Sequence, residues 1–281
     1  MMTKKIKLPT LPKVKYVEFE THKSAYFMLG EKSATPLVLC HGLAANGLQF
    51  VDDAYFFAEQ GFRVIVPDLR GLGRSTKPKT ITQEVFSIPN LASDLIAILD
   101  KEKIEKTHWV GNSLGGILAL YIIDKMPERL NSLITFGTAY SLDVPEQVVP
   151  FLKSLQQMLP KDIMAWLGAR TTCYDEYSQK IIHQMLLDAD LEVVEMIAKN
   201  VRKYNFIKNA ANFNKPILMI KGGRDILVNQ ALKPTLDIMK EKKNFTLIDI
   251  KKAGHCANLD EPKKVRQIIL SFLTCGLERP S

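Results

Sequence analysis

Residues 107–126 read T-H-W-V-G-N-S-L-G-G-I-L-A-L-Y-I-I-D-K-M. The first four residues predict a strand, Gly111-Asn112-Ser113-Leu114-Gly115 is a G-x-S-x-G turn, and an apolar helical run begins at Gly116. A serine hydroxyl is a weak nucleophile at neutral pH. Placed on a tight strand-to-helix turn, Ser113 calls for a base and an oxyanion-stabilising loop around it.

Working outward from this turn, the chain alternates strand and helix. P-L-V-L-C-H-G is an apolar strand ending in a glycine loop, 50–60 predicts a helix, and R-V-I-V-P-D is a second buried strand. A helix is expected from about Pro89 to Lys103, with Leu91, Leu95, Ile98 and Leu99 on one face. After the turn and its helix, L-N-S-L-I-T-F-G supplies another strand. K-P-I-L-M-I-K-G-G, a helix near 230–242, N-F-T-L-I-D-I and a helix from Pro262 to Leu273 complete the series. This βαβ grammar predicts an α/β fold with a mostly parallel sheet covered on both faces. Ahead of it, 14–20 and 25–29 read as an antiparallel hairpin turning at His22-Lys23.

Between about Tyr140 and Ala210 the alternation pauses, and the pattern is continuously helical. Roughly four helices are expected, with breaks near Pro160, 168–172 and 188–190. The domain reading is a core of 1–139 and 211–281 with a helical cap, or lid, at 140–210.

Open parallel sheets place ligands beyond the carboxyl ends of their strands, so the loops there carry the candidate chemistry. His41-Gly42-Leu43 follows one strand, where a glycine lets a backbone N–H point at a developing oxyanion. Gly222-Gly223-Arg224-Asp225 follows another, and Ala253-Gly254-His255-Cys256 follows the last. Ser113, Asp225 and His255 thus fall at three strand ends in the order Ser, Asp, His.

With L-C-H-G-L, D-L-R-G-L-G-R-S at 68–75, G-N-S-L-G-G, G-G-R-D-I-L-V and A-G-H-C-A-N-L-D-E-P, the chain resembles the α/β-hydrolase fold superfamily in its capped esterase, lactonase and C–C hydrolase branch. The resemblance covers nearly the whole chain, the cap least. One departure is Asn229, where many relatives have proline. The resemblance implies an eight-stranded, mostly parallel sheet flanked by helices. It also implies His255 as general base for Ser113, Asp225 as the acid that orients the imidazole, and the N–H groups of Leu43 and Leu114 as the oxyanion hole. Asp143 is the competing acid, because some members take it from that loop.

Other residues have plainer readings. His41 shapes the oxyanion loop or touches substrate, His108 packs inside its strand, and His183 lies on a cap helix. Asp68 and Arg70 pin a glycine-rich turn, while Asp260 and Glu261 complement the dipole of the last helix. Cys256 is a small wall residue without a partner evident in the sequence. The cap carries Met158, Met164, Met185, Met196, Phe151 and Trp166, and methionine adapts to irregular apolar shapes. Met158, Trp166 and Met185 are candidate substrate contacts, although amphipathic cap helices must also bury their own stripes.

Composition bounds the rest. The 281 residues are 46% hydrophobic, enough for one large domain with an insertion. No run approaches about 18 apolar residues and no signal-like segment opens the chain, so no stable membrane insertion is expected. Cys40, Cys173, Cys256 and Cys275 show no C-x-x-C spacing, which fits reduced thiols in a cytoplasm. The net charge of +8 owes much to five lysines within 1–15. The cap has eight basic and nine acidic side chains, and no nucleic-acid motif occurs. No H-x-x-x-H or clustered ligand set is present, so neither metal nor other cofactor is expected.

The leading expectation is a serine hydrolase, monomer or homodimer, acting on a small-molecule ester, lactone or related acyl substrate through an acyl-enzyme. A C–C hydrolase of a vinylogous diketone ranks second, since Cys256 stands where comparable members carry an aromatic residue. A slow-turnover, lidded ligand-binding or signalling protein is the third. Dehalogenase and epoxide hydrolase chemistries are disfavoured because their nucleophile is a carboxylate.

Overall fold

The computed structural model describes residues 8–148, 154 and 158–275. Phe151, among the expected cap residues, lies outside them, as does the Cys275 side chain. Eight strands form one sheet in the order β1-β2-β4-β3-β5-β6-β9-β10. They are β1 (Val14–Glu18), β2 (Lys23–Leu29), β3 (Thr35–Cys40), β4 (Phe62–Pro67), β5 (Thr107–Asn112), β6 (Leu130–Phe136), β9 (Ile217–Gly222) and β10 (Phe245–Ile250). The β1–β2 and β2–β4 pairs are antiparallel, and every other pair is parallel. This is the α/β-hydrolase architecture expected from the strand-end motifs.

Alternation along the central strands explains why both faces are covered. Val38, Cys40, Ile65, Trp109, Leu133, Ile217 and Met219 point into one apolar cluster, with α2 (Ile88–Lys101) and α3 (Leu114–Lys125). Leu37, Leu39, Val64, Val66, Val110, Ile134, Leu218 and Ile220 point into the other, with α1 (Val51–Glu59) and the last helix, Pro262–Cys275. Side chains of period two in a buried strand have no solvent face, so nearly continuous apolar runs result.

The insertion between β6 and β9 differs from the all-helical expectation. It opens and closes on two short antiparallel strands, β7 (Ser141–Asp143) and β8 (Lys203–Asn205). Only three residues pair on each side, too few to show a period of two in the sequence. Between them run α4 (Lys161–Thr172), α5 (Glu176–Asp188) and α6 (Leu191–Val201). Gly168 does not break α4; the breaks come where Asp175 and Asp190 cap the next helices by accepting bonds from their first N–H groups. After β8 comes α7 (Ile207–Asn212), and the helix expected near 230–242 is two, α8 (Ile226–Ala231) and α9 (Lys233–Met239). The last described elements are α10 (Ala257–Asp260) and α11 (Pro262–Cys275).

The insertion spends much of its apolar surface on the core. Ala169, Cys173, Ile181, Ile182 and Met185 join one cluster, and Val193 and Ile197 the other. Among the described residues no helix is long and apolar enough to cross a membrane.

Candidate active site

Ser113 stands between β5 and α3 at φ 51° and ψ −114°, a left-handed backbone that a residue with a Cβ seldom adopts. Its flanking glycines make the turn sterically possible. A Cβ on Gly111 would lie 2.5 Å from Gly116 N, and one on Gly115 only 2.2 Å from the Cys40 carbonyl oxygen. The turn is held by Ser113 N–H donating to Phe136 O at 3.0 Å. The N–H of Leu114, first residue of α3, is among those at a helix start with no carbonyl partner inside the helix.

The loop after β3 comes up against this turn. A Cβ on Gly42 would lie 3.2 Å from that of Ser113. His41 is fully buried and both its nitrogens are used by backbone: Nδ1 donates to Gly42 O at 2.8 Å, and Nε2 accepts from Leu69 N–H at 3.0 Å. Burial lowers its pKa, consistent with the neutral tautomer these two bonds require. His41 therefore shapes the loop that presents Leu43 and has no nitrogen left for a ligand.

Asp225 and His255 meet from neighbouring strand ends. Asp225 follows β9 and is buried, and its Oδ2 lies 2.8 Å from His255 Nδ1. Burial pulls the His255 pKa down, but the hydrogen bond to Asp225 and the charge of its carboxylate outweigh that, leaving the imidazole above its ordinary value. With Nδ1 committed to Asp225, Nε2 is the nitrogen free to take a proton. Asn229, the departure noted after the acid loop, closes that loop by donating from Nδ2 to Gly222 O at 2.9 Å. Asp143 is elsewhere: it is exposed on β7 and pairs with Lys203 at 3.1 Å.

Asn112, the residue before Ser113, ties the serine turn to the loop that carries His255. Its Nδ2 donates to Phe136 O at 3.1 Å and to His255 O at 3.0 Å. Among the described residues Ser113 Oγ makes no hydrogen bond, to His255 or to any other group. Such bonds commonly tighten only when substrate is present.

The insertion is strapped to the same loops. His255 N–H donates to Thr172 O at 3.0 Å. Asp260 accepts from Gly254 N–H at 2.8 Å with one oxygen and, with the other, from Tyr174 N–H at 2.8 Å and Asp175 N–H at 3.1 Å. Tyr174 Oη donates to Arg224 O, and the Arg224 guanidinium lies over the Tyr174 ring. Cys256 also has a partner unseen in the sequence: its Sγ donates to Asn112 Oδ1 at 3.6 Å, and its interaction with Cys173, together with burial, pushes the Cys173 thiol well above its ordinary pKa.

The cap residues singled out for substrate contact are dispersed. Met185 is buried in the apolar cluster, Met158 is 79% exposed, and Trp166 is 48% exposed with the Arg170 guanidinium 4.3 Å over its ring. Asp68 and Arg70 do pin the turn expected of them. Asp68 accepts from Gly47 and Arg74 N–H groups, while Arg70 forks onto Asp94. His108 packs inside the sheet with Nδ1 2.7 Å from Ser132 Oγ, and burial lowers its pKa to about 4. Sequence reasoning gave no role to Gln49, Asn112 and Asn258 and only a dipole role to Asp260. The available signal was position, since each is a polar residue within a few places of a strand-end motif.

Comparison with known proteins bears on the same elements. The family model for the alpha/beta hydrolase fold matches residues 35–169. A 2-hydroxy-6-oxononadienedioate/2-hydroxy-6-oxononatrienedioate hydrolase of Paraburkholderia phymatum is 28% identical over 258 residues, covering 84% of this chain and 86% of its own. The pimeloyl-[acyl-carrier protein] methyl ester esterase of Pectobacterium carotovorum is 26% identical over 251 residues, covering 85% and 94%. In structure, the enol-lactonase from Burkholderia xenovorans superposes with a TM-score of 0.80 at 20% identity, covering 92% of this chain and all of the other. The chain has the α/β-hydrolase fold.

Proposed function

We propose that this protein of the α/β-hydrolase fold is a serine hydrolase cleaving a carboxylic ester or lactone of a small to medium apolar substrate. The observation that carries the reading is the 2.8 Å bond between His255 Nδ1 and Asp225, at the same edge of the sheet as a serine held at positive φ at the end of β5, with β6 between β5 and β9. The esterase and lactonase relatives support the choice of bond.

In this reading His255 Nε2 takes the Ser113 proton as Oγ attacks the carbonyl carbon, and Asp225 stabilises the imidazolium that forms. The N–H groups of Leu43 and Leu114 receive the oxyanion, and a single such donor is typically worth about 3 kcal/mol. Collapse expels the leaving group with the proton from His255. Water, activated by the same nitrogen, then frees the acid and regenerates Ser113. Residues 140–210 act as the lid over this site and set substrate choice, with 1–139 and 211–281 as the catalytic core.

A fluorophosphonate probe, with p-nitrophenyl esters of increasing acyl length and a set of lactones, tests the reading. Ser113 is expected to be labelled and Ser113→Ala to be inert. A folded protein that is neither labelled nor active sinks it. A second reading, hydrolysis of a C–C bond in a vinylogous diketone, is favoured by the 28% identical relative. A dienone turned over faster than any ester would select it.

A further inference from the structure

Three buried carboxamides meet behind the Ser113 turn, and the chemistry proposed above uses none of them. Gln49, Asn112 and Asn258 are each 1–2% exposed. Gln49 lies in the short helical turn 47–50, downstream of the Leu43 loop; Asn112 immediately precedes Ser113; and Asn258 is three residues past His255. Three segments of the candidate site therefore each contribute one amide to a single knot.

The bonds have one consistent direction. Both hydrogens of the Asn112 amide go to the carbonyls of Phe136 and His255, which turns Oδ1 toward Gln49. Gln49 Nε2 donates to that oxygen at 2.9 Å and to Asn258 Oδ1 at 3.3 Å. Asn258 Nδ2 in turn donates to Gln49 O at 3.0 Å and to Asp53 Oδ2 at 2.7 Å. Asp53 is anchored by Arg266 Nε at 2.6 Å. Gln49 alone supplies donors to both neighbours, and its own Oε1 is buried without a partner among the described residues. A residue kept there with an unpaired oxygen is serving its NH₂ group.

We propose that Gln49 is a positioning residue whose amide NH₂ fixes the separation between Ser113 and His255 by locking the orientation of Asn112 and Asn258. The inference rests on the serine-hydrolase reading and adds to it the element that holds the two reacting groups in register. It gives Gln49 no contact with substrate. Loss of its two donors leaves Asn258 Oδ1 unpaired and Asn112 Oδ1 with only the weak thiol donor of Cys256 at 3.6 Å, which loosens the orientation of the Asn112 amide toward His255 O.

Two variants test this, Gln49→Met, which keeps shape and removes both donors, and Gln49→Glu. Each is assayed on p-nitrophenyl acetate and by the rate of fluorophosphonate labelling, with thermal unfolding as a check that it is folded. Gln49→Met is expected to lower kcat and labelling rate by about 10- to 100-fold with KM within about twofold, since small misplacement of reacting groups has effects of that size. In Gln49→Glu a carboxylate only accepts, whereas the neutral acid donates one bond, and burial favours the neutral acid. Its activity relative to wild type should therefore rise as pH falls from about 8 to about 6, where a merely structural role gives a constant ratio. A flat ratio, or wild-type kcat in folded Gln49→Met, overturns the proposal. If Gln49→Met does not fold, the ratio in Gln49→Glu decides. An active, labelled wild type with either overturning result refutes the Gln49 role alone; an inactive, unlabelled wild type refutes the serine-hydrolase reading beneath it.

Discussion

The loops at the carboxyl end of the sheet and the helical insertion above them solve the problem of burial in opposite ways. The loops bury polar groups: His41, Asn112, Asp225, Gln49 and Asn258 are all under a tenth exposed, and their bonds go to backbone, to one another or to neighbouring polar side chains such as His255 and Asp53. The insertion buries apolar stripes, and leaves Met158, Ile163, Trp166 and Leu167 substantially exposed. Polar contacts have direction and fix atoms to within tenths of an ångström, while apolar contacts are non-directional and tolerate exchange. The loops are thus suited to hold reacting groups, and the insertion to vary in shape while they stay put.

The largest effect expected is in the loops. Asp225→Asn removes the charge that raises the His255 pKa and leaves the burial that lowers it. In the serine-hydrolase reading kcat falls by about 10⁴-fold, because the imidazole loses its orientation and its stabilised charged form. The active form is neutral His255, so the acid limb of the wild-type profile lies above the ordinary histidine value and moves to lower pH in the variant. Linkage carries the same sign. A pKa raised on folding adds stability below the unfolded value and loses it as pH climbs through the folded one, so the variant's deficit in stability is larger in acid. A pH–rate profile whose limb stays in place would separate Asp225 from the titration.

Where the two regions join, Asp260 is the test. Its carboxylate takes N–H groups from Gly254 on the loop side and from Tyr174 and Asp175 on the insertion side. Asp260→Ala is expected to lower stability by about 3 kcal/mol, given about 1.5–3 kcal/mol for a hydrogen bond to a charged group and partial replacement by water. Urea unfolding measures this. Activity should fall with it, because Gly254 adjoins His255; unchanged kcat would mean that the strap holds the insertion alone.

What the sequence disclosed divides along the same line. Strand-end motifs were legible because the elbow needs glycine where a Cβ would strike backbone at 2.2–2.5 Å, and chain order then supplied Asp225 and His255. The sheet was legible because two-sided burial writes itself as apolar runs. The β7–β8 pair was not, as a ladder of three residues leaves no period to read. Nor were the partners of Gln49 and Asp260, which lie 209 and 86 residues away and come together only through the fold. In the insertion, composition revealed apolar side chains without revealing which way they face. Met185 faces the core and Met158 faces solvent, though both are methionines on predicted helices.

Within the insertion, interior and exterior should separate cleanly. Met185 is 1% exposed among apolar neighbours, so Met185→Ala is expected to lose about 2–3 kcal/mol, at the lower end of the range for such truncations because neighbouring helices can close in. Thermal or urea unfolding reads the loss.

Trp166→Ala should have the smallest effect and is the most informative about the lid. The ring is 48% exposed on α4, and the strongest contact it shows is the Arg170 guanidinium at 4.3 Å. A cation–π pair at an exposed site is worth about 0.5–1 kcal/mol, so stability should drop by less than about 1 kcal/mol. If Trp166 takes no part in substrate selection, the ranking of p-nitrophenyl esters by acyl length is unchanged in the variant. If the ranking changes while the stability does not, α4 turns this face toward substrate during turnover, and the exposed apolar row of Ile163, Trp166 and Leu167 belongs to the working surface of the lid. That outcome would redraw the comparison: the insertion would then hold its specificity residues outside its core, and Met185 would be only their support.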